Sequence, residues 1–201
     1  MTGPEGGLRG SGAGDGSGSG LGRSLRGRLL VSHAALRELE FRHTVVLVGE
    51  HDDRGAVGVV LNRPLDPTVA EAVPPLAGVV DPGSPLFEGG PVAPEEPVLL
   101  VEADTPDVLD VPVFGSIGFM VGEVSEDLRT RLLRARVYAG HAGWGPGQLD
   151  SEVEAGAWIL DDARAEDVFT DTPELLWSQV LERRGPEWAS MARVPFDPTM
   201  N

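Results

Sequence analysis

The sequence predicts an α+β protein built on a mixed β-sheet. Segments with the apolar pattern of strands outnumber those with helical spacing. Tight turns join some of the strands, and short helical crossovers join others, whereas a regular βαβ repeat would alternate strands with long helices. We find no internal repeat. We therefore expect hairpins and crossovers within one sheet, with a few flanking helices.

The chain divides into a tail and one domain. Residues 1–24 are rich in Gly and Ser and have no apolar periodicity, which predicts a disordered tail. Residues 25–201 are long enough to form a single domain with a sizeable core. Within it, residues 28–32 are predicted to form the first strand and residues 33–40 a short connection with at most one helical turn.

The clearest supersecondary signal is a β-hairpin. Residues 44–48 are apolar on both faces, as expected of a strand that is covered on two sides. Residues 50–55 have turn chemistry, with Gly55 available for a positive φ, and residues 56–61 form the returning strand. Pro64 and Pro67 end the hairpin because proline cannot continue a central ladder.

The middle of the chain predicts short elements. Thr68 and Glu71 fit a capping box for a helix that stops before Pro74. Residues 86–92 form a strand broken at Gly89-Gly90, which indicates a bulge or a close backbone approach. Residues 98–101 and 117–121 are further strands. Ser125 caps a helix that runs to about Arg134.

The chain is organised around residues 140–160. A strand over residues 135–139 leads into glycines at 140, 143, 145 and 147, which predict a sharp corner. From Gln148 the apolar spacing becomes helical, and residues 158–160 form the next strand. Thr172-Pro173 opens a last helix that Gly185-Pro186 closes. Residues 187–201 carry no clear period.

Composition excludes several function classes. The chain has no cysteine and its sixteen basic residues are all arginine, so disulfides, thiolate metal sites, cysteine nucleophiles and lysine Schiff bases are absent. A net charge of −16 disfavours nucleic acid as a direct partner. No apolar run reaches the roughly 18 residues of a membrane span, and we find no signal peptide, so we expect a cytoplasmic protein.

The arginines at 129, 131, 134 and 136 are the best candidate for a local basic patch. Arg129 and Arg131 are two residues apart, as are Arg134 and Arg136, and residues at this spacing do not share a helix face. This favours a solvated surface over a groove-reading helix.

Catalytic and metal motifs are weak. The glycine corner has neither a following Gly-Lys-Ser/Thr nor a dinucleotide fingerprint, so a structural corner is favoured over a phosphate site. The four histidines form neither an HExxH nor a His-x-His pair, and the acidic run at residues 50–53 is better explained as a polar turn than as a metal site. A Ser-His-Asp triad with Ser32 or Ser116 lacks a Gly-x-Ser-x-Gly elbow.

Several polar residues lie at the ends of apolar strands and are our candidates for a ligand or recognition surface. If they converge, they line one pocket; the alternative, which we favour, is that each satisfies buried backbone groups. The candidates are Glu50, His51, Asn62, Arg63, Glu88, His141, Trp144 and Gln148.

The order of these segments resembles the YqgE/AlgH family. The most specific run is Ala-Gly-Trp-Gly-Pro-Gly-Gln-Leu at residues 142–149, and the resemblance extends over about residues 25–185. It implies a bacterial α+β domain whose mixed, bifurcated sheet folds into a pseudo-barrel, with no established cofactor or catalytic set. Some members are described as transcriptional regulators, linked to alginate production. His33 and His141 replace the proline and tyrosine that the family usually has, and residues 101–117 and 125–134 look shortened or altered.

These observations favour a non-enzymatic regulatory or interaction protein that needs no cofactor or metal and acts through a protein partner or a small ligand. A cryptic enzyme is the second hypothesis, for example a hydrolase with Glu50, His51 or His141 near Asn62 and Arg63. The third is a regulator that binds DNA directly. The sequence also predicts that Trp144 is buried at the corner.

Overall fold

A computed structural model describes residues 24–34 and 41–193. The strands within these ranges are β1 Arg28–Ser32, β2 Val45–Asp52, β3 Gly55–Val60, β4 Pro64–Thr68, β5 Pro85–Glu88, β6 Val92–Ala103, β7 Val111–Phe114, β8 Ile117–Met120, β9 Leu132–Trp144 and β10 Trp158–Asp162. The α-helices are α1 Val69–Ala72, α2 Glu126–Arg129, α3 Gln148–Glu154, α4 Ala165–Val168, α5 Leu176–Arg183 and α6 Pro186–Ala189. Almost all of the predicted tail and most of the predicted connection at residues 33–40 lie outside the described residues.

The strands form one mixed sheet in the order β10-β1-β2-β3-β9-β6-β8-β7. Neighbours along this path are antiparallel. Strand β5 pairs antiparallel with β4 and parallel with β9, which makes the sheet mixed. Among the described residues the sheet does not close into a barrel, and its ends are β10 and β7. The predicted α+β class with a mixed sheet is confirmed.

The sheet forks at β9, as the family resemblance implies. On one edge of β9, Tyr138 and Ala139 pair with β5, and two residues beyond Gly140 the same edge pairs with β3. Strand β6 occupies the opposite edge. The sheet also curls, since the ring of Phe119 in β8 packs on Gly49 of β2, where a Cβ would lie 2.5 Å from the ring. The curled sheet therefore approaches a barrel without closing.

The predicted hairpin is confirmed, but its strands are longer than expected. Strand β2 runs through Glu50 and His51 to Asp52, and Asp52 pairs with Gly55 across a two-residue turn. The register shifts at Gly49, which lets the ladder continue past a bulge. The acidic run assigned to a turn is thus mostly strand, because the ladder with β3 satisfies its backbone groups.

The helix starts predicted from local signals are confirmed at α1 and α3. The Thr68 hydroxyl accepts from the Glu71 N–H, the Glu71 carboxylate accepts from the Thr68 N–H, and α1 ends before Pro74. Helix α3 begins at Gln148, as the change of spacing predicts. The predicted last helix is a 3₁₀ turn at Pro173–Leu175 followed by α5, and α6 lies in the segment that showed no period.

The predicted end of the helix before β9 and the predicted bounds of β9 itself are both wrong. Helix α2 ends at Arg129, and Leu132–Trp144 is one strand of 13 residues. Residues 132–134 are therefore strand, not helix, because long pairing with β6 outweighs the local helix signal. The same ladder carries the strand through Gly140 and Gly143, so the corner begins only at Gly145.

The predicted broken strand over residues 86–92 is two strands. Strand β5 ends at Glu88, and β6 begins at Val92. Between them, Gly89 donates its N–H to the Ala139 carbonyl and accepts from the Val60 N–H, both at 2.9 Å. The predicted close backbone approach is confirmed, and it ties the two arms of the fork together.

The core lies on both faces of β1, β2 and β3, which confirms the doubly apolar pattern of residues 44–48. Val31 and Leu47 belong to the cluster that contains Trp177 and Leu181 of α5. Leu30, Val46 and Val48 belong to the opposite cluster, with Trp144, Leu149 of α3 and Trp158. A third cluster fills the far end around β6, β8 and α1.

Candidate functional site

The structure places the sequence-predicted polar residues in separate regions. His51, Trp144 and Gln148 lie where the β2–β3 hairpin meets α3. Asn62, Arg63 and Glu88 lie where β3 passes into β4 beside β5. Glu50 is exposed opposite Val57, and His141 lies on β9 opposite Val92 of β6.

The first region is a hydrogen-bonded corner around Glu152. Both Trp144 and Trp158 donate their indole N–H to Glu152 Oε2, at 2.9 and 2.8 Å. Gln148 donates to Glu152 Oε1 at 2.9 Å and accepts the Gly145 N–H at 3.0 Å. One carboxylate therefore joins the end of β9, the start of α3 and the start of β10. The motif residues Trp144 and Gln148 hold this corner together.

His51 links the same end of the sheet to the segment before β1. Its Nδ1 accepts the Leu25 N–H at 3.0 Å, so a neutral ring carries its proton on Nε2. That nitrogen lies 3.3 Å from Asp150 Oδ2. The His51 side chain is 7% exposed, and the Asp150 side chain is 47% exposed. Both ring nitrogens thus have partners, and the ring fixes Leu25 against α3.

Asn62 satisfies buried backbone groups at the base of the hairpin. Its Oδ1 accepts the Val45 N–H, and its Nδ2 donates to the His43 carbonyl, both at 2.9 Å. The residue is 9% exposed. A carboxamide suits this position because it can accept and donate at once. Of the two explanations given for Asn62 at the sequence level, backbone satisfaction is the one these contacts support.

A cleft of about 420 Å³ lies beside Asn62 and is lined by Arg42, His43, Asn62, Arg63, Glu174, Trp177, Ser178 and Ala192. Arg63 Nη1 contacts Glu88 Oε2 at 3.3 Å. The His43 ring stacks on Trp177 with the ring centroids 4.0 Å apart. Burial lowers the pKa of His43 below its usual 6.5, and the Arg42 charge lowers it further.

The shift at His43 predicts a pH-dependent stability. Its folded-state pKa is depressed, so between that value and about 6.5 the unfolded chain binds more protons and stability falls as pH falls. We expect urea unfolding to show a larger loss of stability from about pH 7.5 to about pH 5.5 in the wild type than in His43→Gln. The other histidines are common to both proteins and cancel in this difference. Equal losses in the two proteins would contradict the prediction.

Sequence reasoning missed two features. The first is Glu152, whose spacing of four from Gln148 places the two side chains on one helix face. The second is a cleft of about 620 Å³ that Arg129, Arg134 and Arg136 line together with residues of two loops. On a strand, residues two apart share a face, so Arg134 and Arg136 come together on β9 as they would not on a helix. The wrong extent of α2 concealed this cleft.

The described residues contain neither a helix that is long and apolar enough to cross a membrane nor a group of three or more His, Asp or Glu side chains arranged to hold a metal ion.

The fold and these contacts define a class: an α+β protein with a forked, curled sheet, in which a Gly-Trp-Gly-Pro-Gly-Gln corner ties the central strand to a short helix. The chain belongs to the AlgH-like family, whose model matches residues 29–189.

Bacterial relatives resemble almost the whole chain. A UPF0301 protein of Streptomyces avermitilis is 38% identical over 185 residues, covering 89% of this chain and 96% of the relative. A UPF0301 protein of Chlorobaculum tepidum is 36% identical over 182 residues, covering 87% and 95%. The family is uncharacterised, so these relatives fix the family and not an activity.

Solved structures share the fold. The crystal structure of protein DIP2367 from Corynebacterium diphtheriae superposes with a TM-score of 0.76 at 25% identity, covering 84% of this chain and 92% of that one. The solution structure of the AlgH protein from Pseudomonas aeruginosa gives a TM-score of 0.62 at 24% identity, covering 87% and 96%, and supports the fold alone.

Proposed function

We propose that the protein is a non-enzymatic regulatory or interaction protein of the cytoplasm that acts by binding a protein partner or a small ligand. One observation carries this proposal. The polar side chains of the specific motif and of the base of the hairpin are engaged with one another or with the backbone. Glu152, Gln148 and Asn62 each make two or more such hydrogen bonds.

These contacts support an architectural role for the motif, because a catalytic group must reach its substrate in a geometry suited to proton transfer or attack. Turning the Glu152 carboxylate toward a substrate would leave two indole N–H groups unpaired. Turning Asn62 would leave the Val45 N–H unpaired in the core. Each unpaired buried donor costs about 1–3 kcal/mol. Glu152 and Asn62 are therefore poor candidates for chemistry.

The second hypothesis, a cryptic enzyme, finds one specific observation in its favour. His51 and Asp150 form a histidine–carboxylate pair at 3.3 Å, the arrangement in which a carboxylate orients a general base. Against it, the nitrogen that would act as base already accepts the Leu25 N–H. Neither of the two clefts described above is lined by His51. The pair therefore supports a structural tether better than a catalytic dyad.

The DNA-binding hypothesis finds less support. The arginines gathered at the start of β9 line a concave cleft shared with Asp81 and Asp171. A duplex is read by a protruding helix or ribbon whose charges neutralise many phosphates. The net charge of −16 opposes that approach. We therefore propose that any effect on transcription is indirect.

A complementation experiment tests the proposed function. In a strain of the host bacterium that lacks the gene, plasmid-borne wild-type protein should restore the transcript profile, and Asp150→Asn should restore it equally. This change keeps a hydrogen-bond acceptor for His51 but removes the carboxylate, and in serine proteases the equivalent change lowers kcat about 10⁴-fold. A His141→Asn variant is the second arm, because His141 is the other histidine of the enzyme hypothesis.

Two outcomes contradict the proposal. A folded Asp150→Asn or His141→Asn protein that fails to complement would favour catalysis over binding. A deletion strain whose transcripts match those of the wild type would remove the regulatory role. Thermal unfolding of each purified variant, compared with that of the wild type, separates loss of function from loss of fold.

A further inference from the structure

The cleft of about 620 Å³ brings three arginines together in an acidic protein. It lies between the loop at residues 78–84 with the start of β5, the start of β9 and the loop at residues 169–171. Three arginines line it, at positions 129, 134 and 136, against two exposed aspartates, Asp81 and Asp171. The formal charge of the lining side chains is thus positive, although the whole chain carries −16.

Arg136 is the lining residue that the surrounding structure holds through the most contacts described for the three arginines. Its Nη1 and Nη2 donate to the carbonyls of Val168 and Thr170, both at 2.8 Å, and its Cζ lies 4.3 Å from the centroid of the Phe87 ring. Arg136 thus contacts two carbonyl groups and the face of an aromatic ring in these interactions, rather than carboxylates. Burial raises the pKa of the neighbouring Tyr138 hydroxyl well above its usual range, and the Arg136 charge opposes that rise. The two carbonyl contacts therefore hold the positive charge of Arg136 in a fixed position in the cleft lining.

Arg134 and Arg129 flank this centre. Arg134 Nε pairs with Glu102 Oε2 at 2.5 Å, and its Cζ lies 4.7 Å from the Phe169 ring centroid. Arg129 Nη1 pairs with Glu126 Oε1 at 3.0 Å, while its buried Nε has no hydrogen-bond partner among the described residues. A guanidinium has five N–H donors, so each arginine keeps donors beyond its single carboxylate contact.

The other walls of the cleft are partly apolar. Val79, Val80, Leu132, Leu133 and Phe169 contribute side chains beside the arginines. A cleft of this size, with apolar walls and a few convergent polar groups, suits a small organic molecule and is too small for a macromolecular chain. Guanidinium groups bind phosphate through paired N–H donors.

We propose that this cleft binds a small phosphorylated organic molecule, with the phosphate on Arg134, Arg136 and Arg129 and the apolar body against Leu132 and Phe169. The proposal rests on the binding function proposed above and specifies the chemical class of its small ligand. The two are tested by different measurements, because failure of phosphate binding leaves the transcript experiment unaffected. Asp81 and Asp171 at the rim disfavour polyanions, which selects for a ligand with one phosphate.

The test is an NMR titration of the full ¹⁵N-labelled chain with phenyl phosphate, which combines one phosphate with an apolar ring. We expect shifts in the backbone amides of residues 132–136 and 169–171 and in the arginine Nε–H signals of the cleft. Arg134→Gln should raise the Kd roughly tenfold, because a charge-assisted contact to phosphate is lost. Arg134 is exposed at the surface, so the fold should tolerate this change.

Arg131→Gln is the matched control. It removes the same charge three residues away, but Arg131 pairs with Asp104 at 3.0 Å and does not line the cleft. The Kd of the Arg131→Gln variant for phenyl phosphate should stay within about twofold of the wild-type value. Equal weakening in both variants, shifts confined to other regions, or a wild-type Kd above about 10 mM would overturn the site. Benzoate binding as tightly as phenyl phosphate would overturn the phosphate assignment.

Discussion

Trp144→Ala is expected to lower the free energy of unfolding by about 3–5 kcal/mol, the usual cost of truncating a buried tryptophan. Trp144 is 7% exposed, which confirms the predicted burial. Its ring lies 6.1 Å from Trp158 and 6.4 Å from Phe41, centroid to centroid. Alanine would leave a cavity between β9 and β10. It would also remove one of the N–H groups from which Glu152 accepts a hydrogen bond.

The measurement is urea unfolding followed by far-UV circular dichroism, because the substitution removes one of only four tryptophan fluorophores. Trp144→Phe is the matched variant: it keeps most of the apolar volume and loses the indole N–H. We expect Trp144→Phe to lower the free energy of unfolding by about 1–3 kcal/mol, because the hydrogen bond is lost and a smaller cavity is left. An alanine variant as stable as the wild type would show that the corner does not support the fold.

Gly90→Ala is expected to destabilise the fold by at least about 3 kcal/mol and to reduce the yield of folded protein sharply. Gly90 has a φ of +147°, and a Cβ there would lie 2.4 Å from the His141 carbonyl carbon and 2.5 Å from Ala142 N. Both contacts are to the backbone of β9, which cannot move without breaking the fork. Strain and steric overlap therefore act at the same position.

Gly143→Ala is the control for Gly90→Ala, because it adds the same methyl group to the same part of the sheet. A Cβ at Gly143 would meet only Val92 Cγ2, at an ordinary 3.6 Å. We expect its stability in urea to lie within about 1 kcal/mol of the wild type, since alanine costs less backbone entropy in a strand than glycine does. If both alanine variants are equally stable, the close approach at Gly90 does not constrain the fold.

The elements that were predictable from sequence are those whose signals are local. The capping box of Thr68 and Glu71 and the start of α3 at Gln148 depend on residues within one helical turn. The hairpin of β2 and β3 depends on two apolar runs that are close in sequence. Such signals act before any distant contact forms, so the sequence reports them directly.

The errors share one physical cause. Residues 132–134 and Gly140 have weak or contrary local preferences, and long pairing with β6 decides their conformation. That pairing joins β6 to β9 over about thirty residues of intervening chain, which no local window includes. The same error hid the arginine cleft, because it assigned Arg134 to a helix and Arg136 to the following strand, whereas one continuous strand brings both to one face.

For the site, residue type and position singled out Trp144, Gln148 and Asn62 without indicating their partners. Their contacts with Glu152 and with the backbone are evident only when three distant elements meet. His51 finds its carboxylate 99 residues away at Asp150. The eight candidates lie in separate regions, and the arginine cleft contains none of them.

The sequence by itself determined the family, the α+β class, the hairpin, the helix caps and the burial of Trp144, since each depends on patterns within short stretches. Only the tertiary structure decided the fork at β9, the role of Glu152 and the gathering of Arg129, Arg134 and Arg136 in one cleft. These features arise from pairing and packing between residues that are remote in the chain, where the gain in hydrogen bonds and buried area outweighs local propensity.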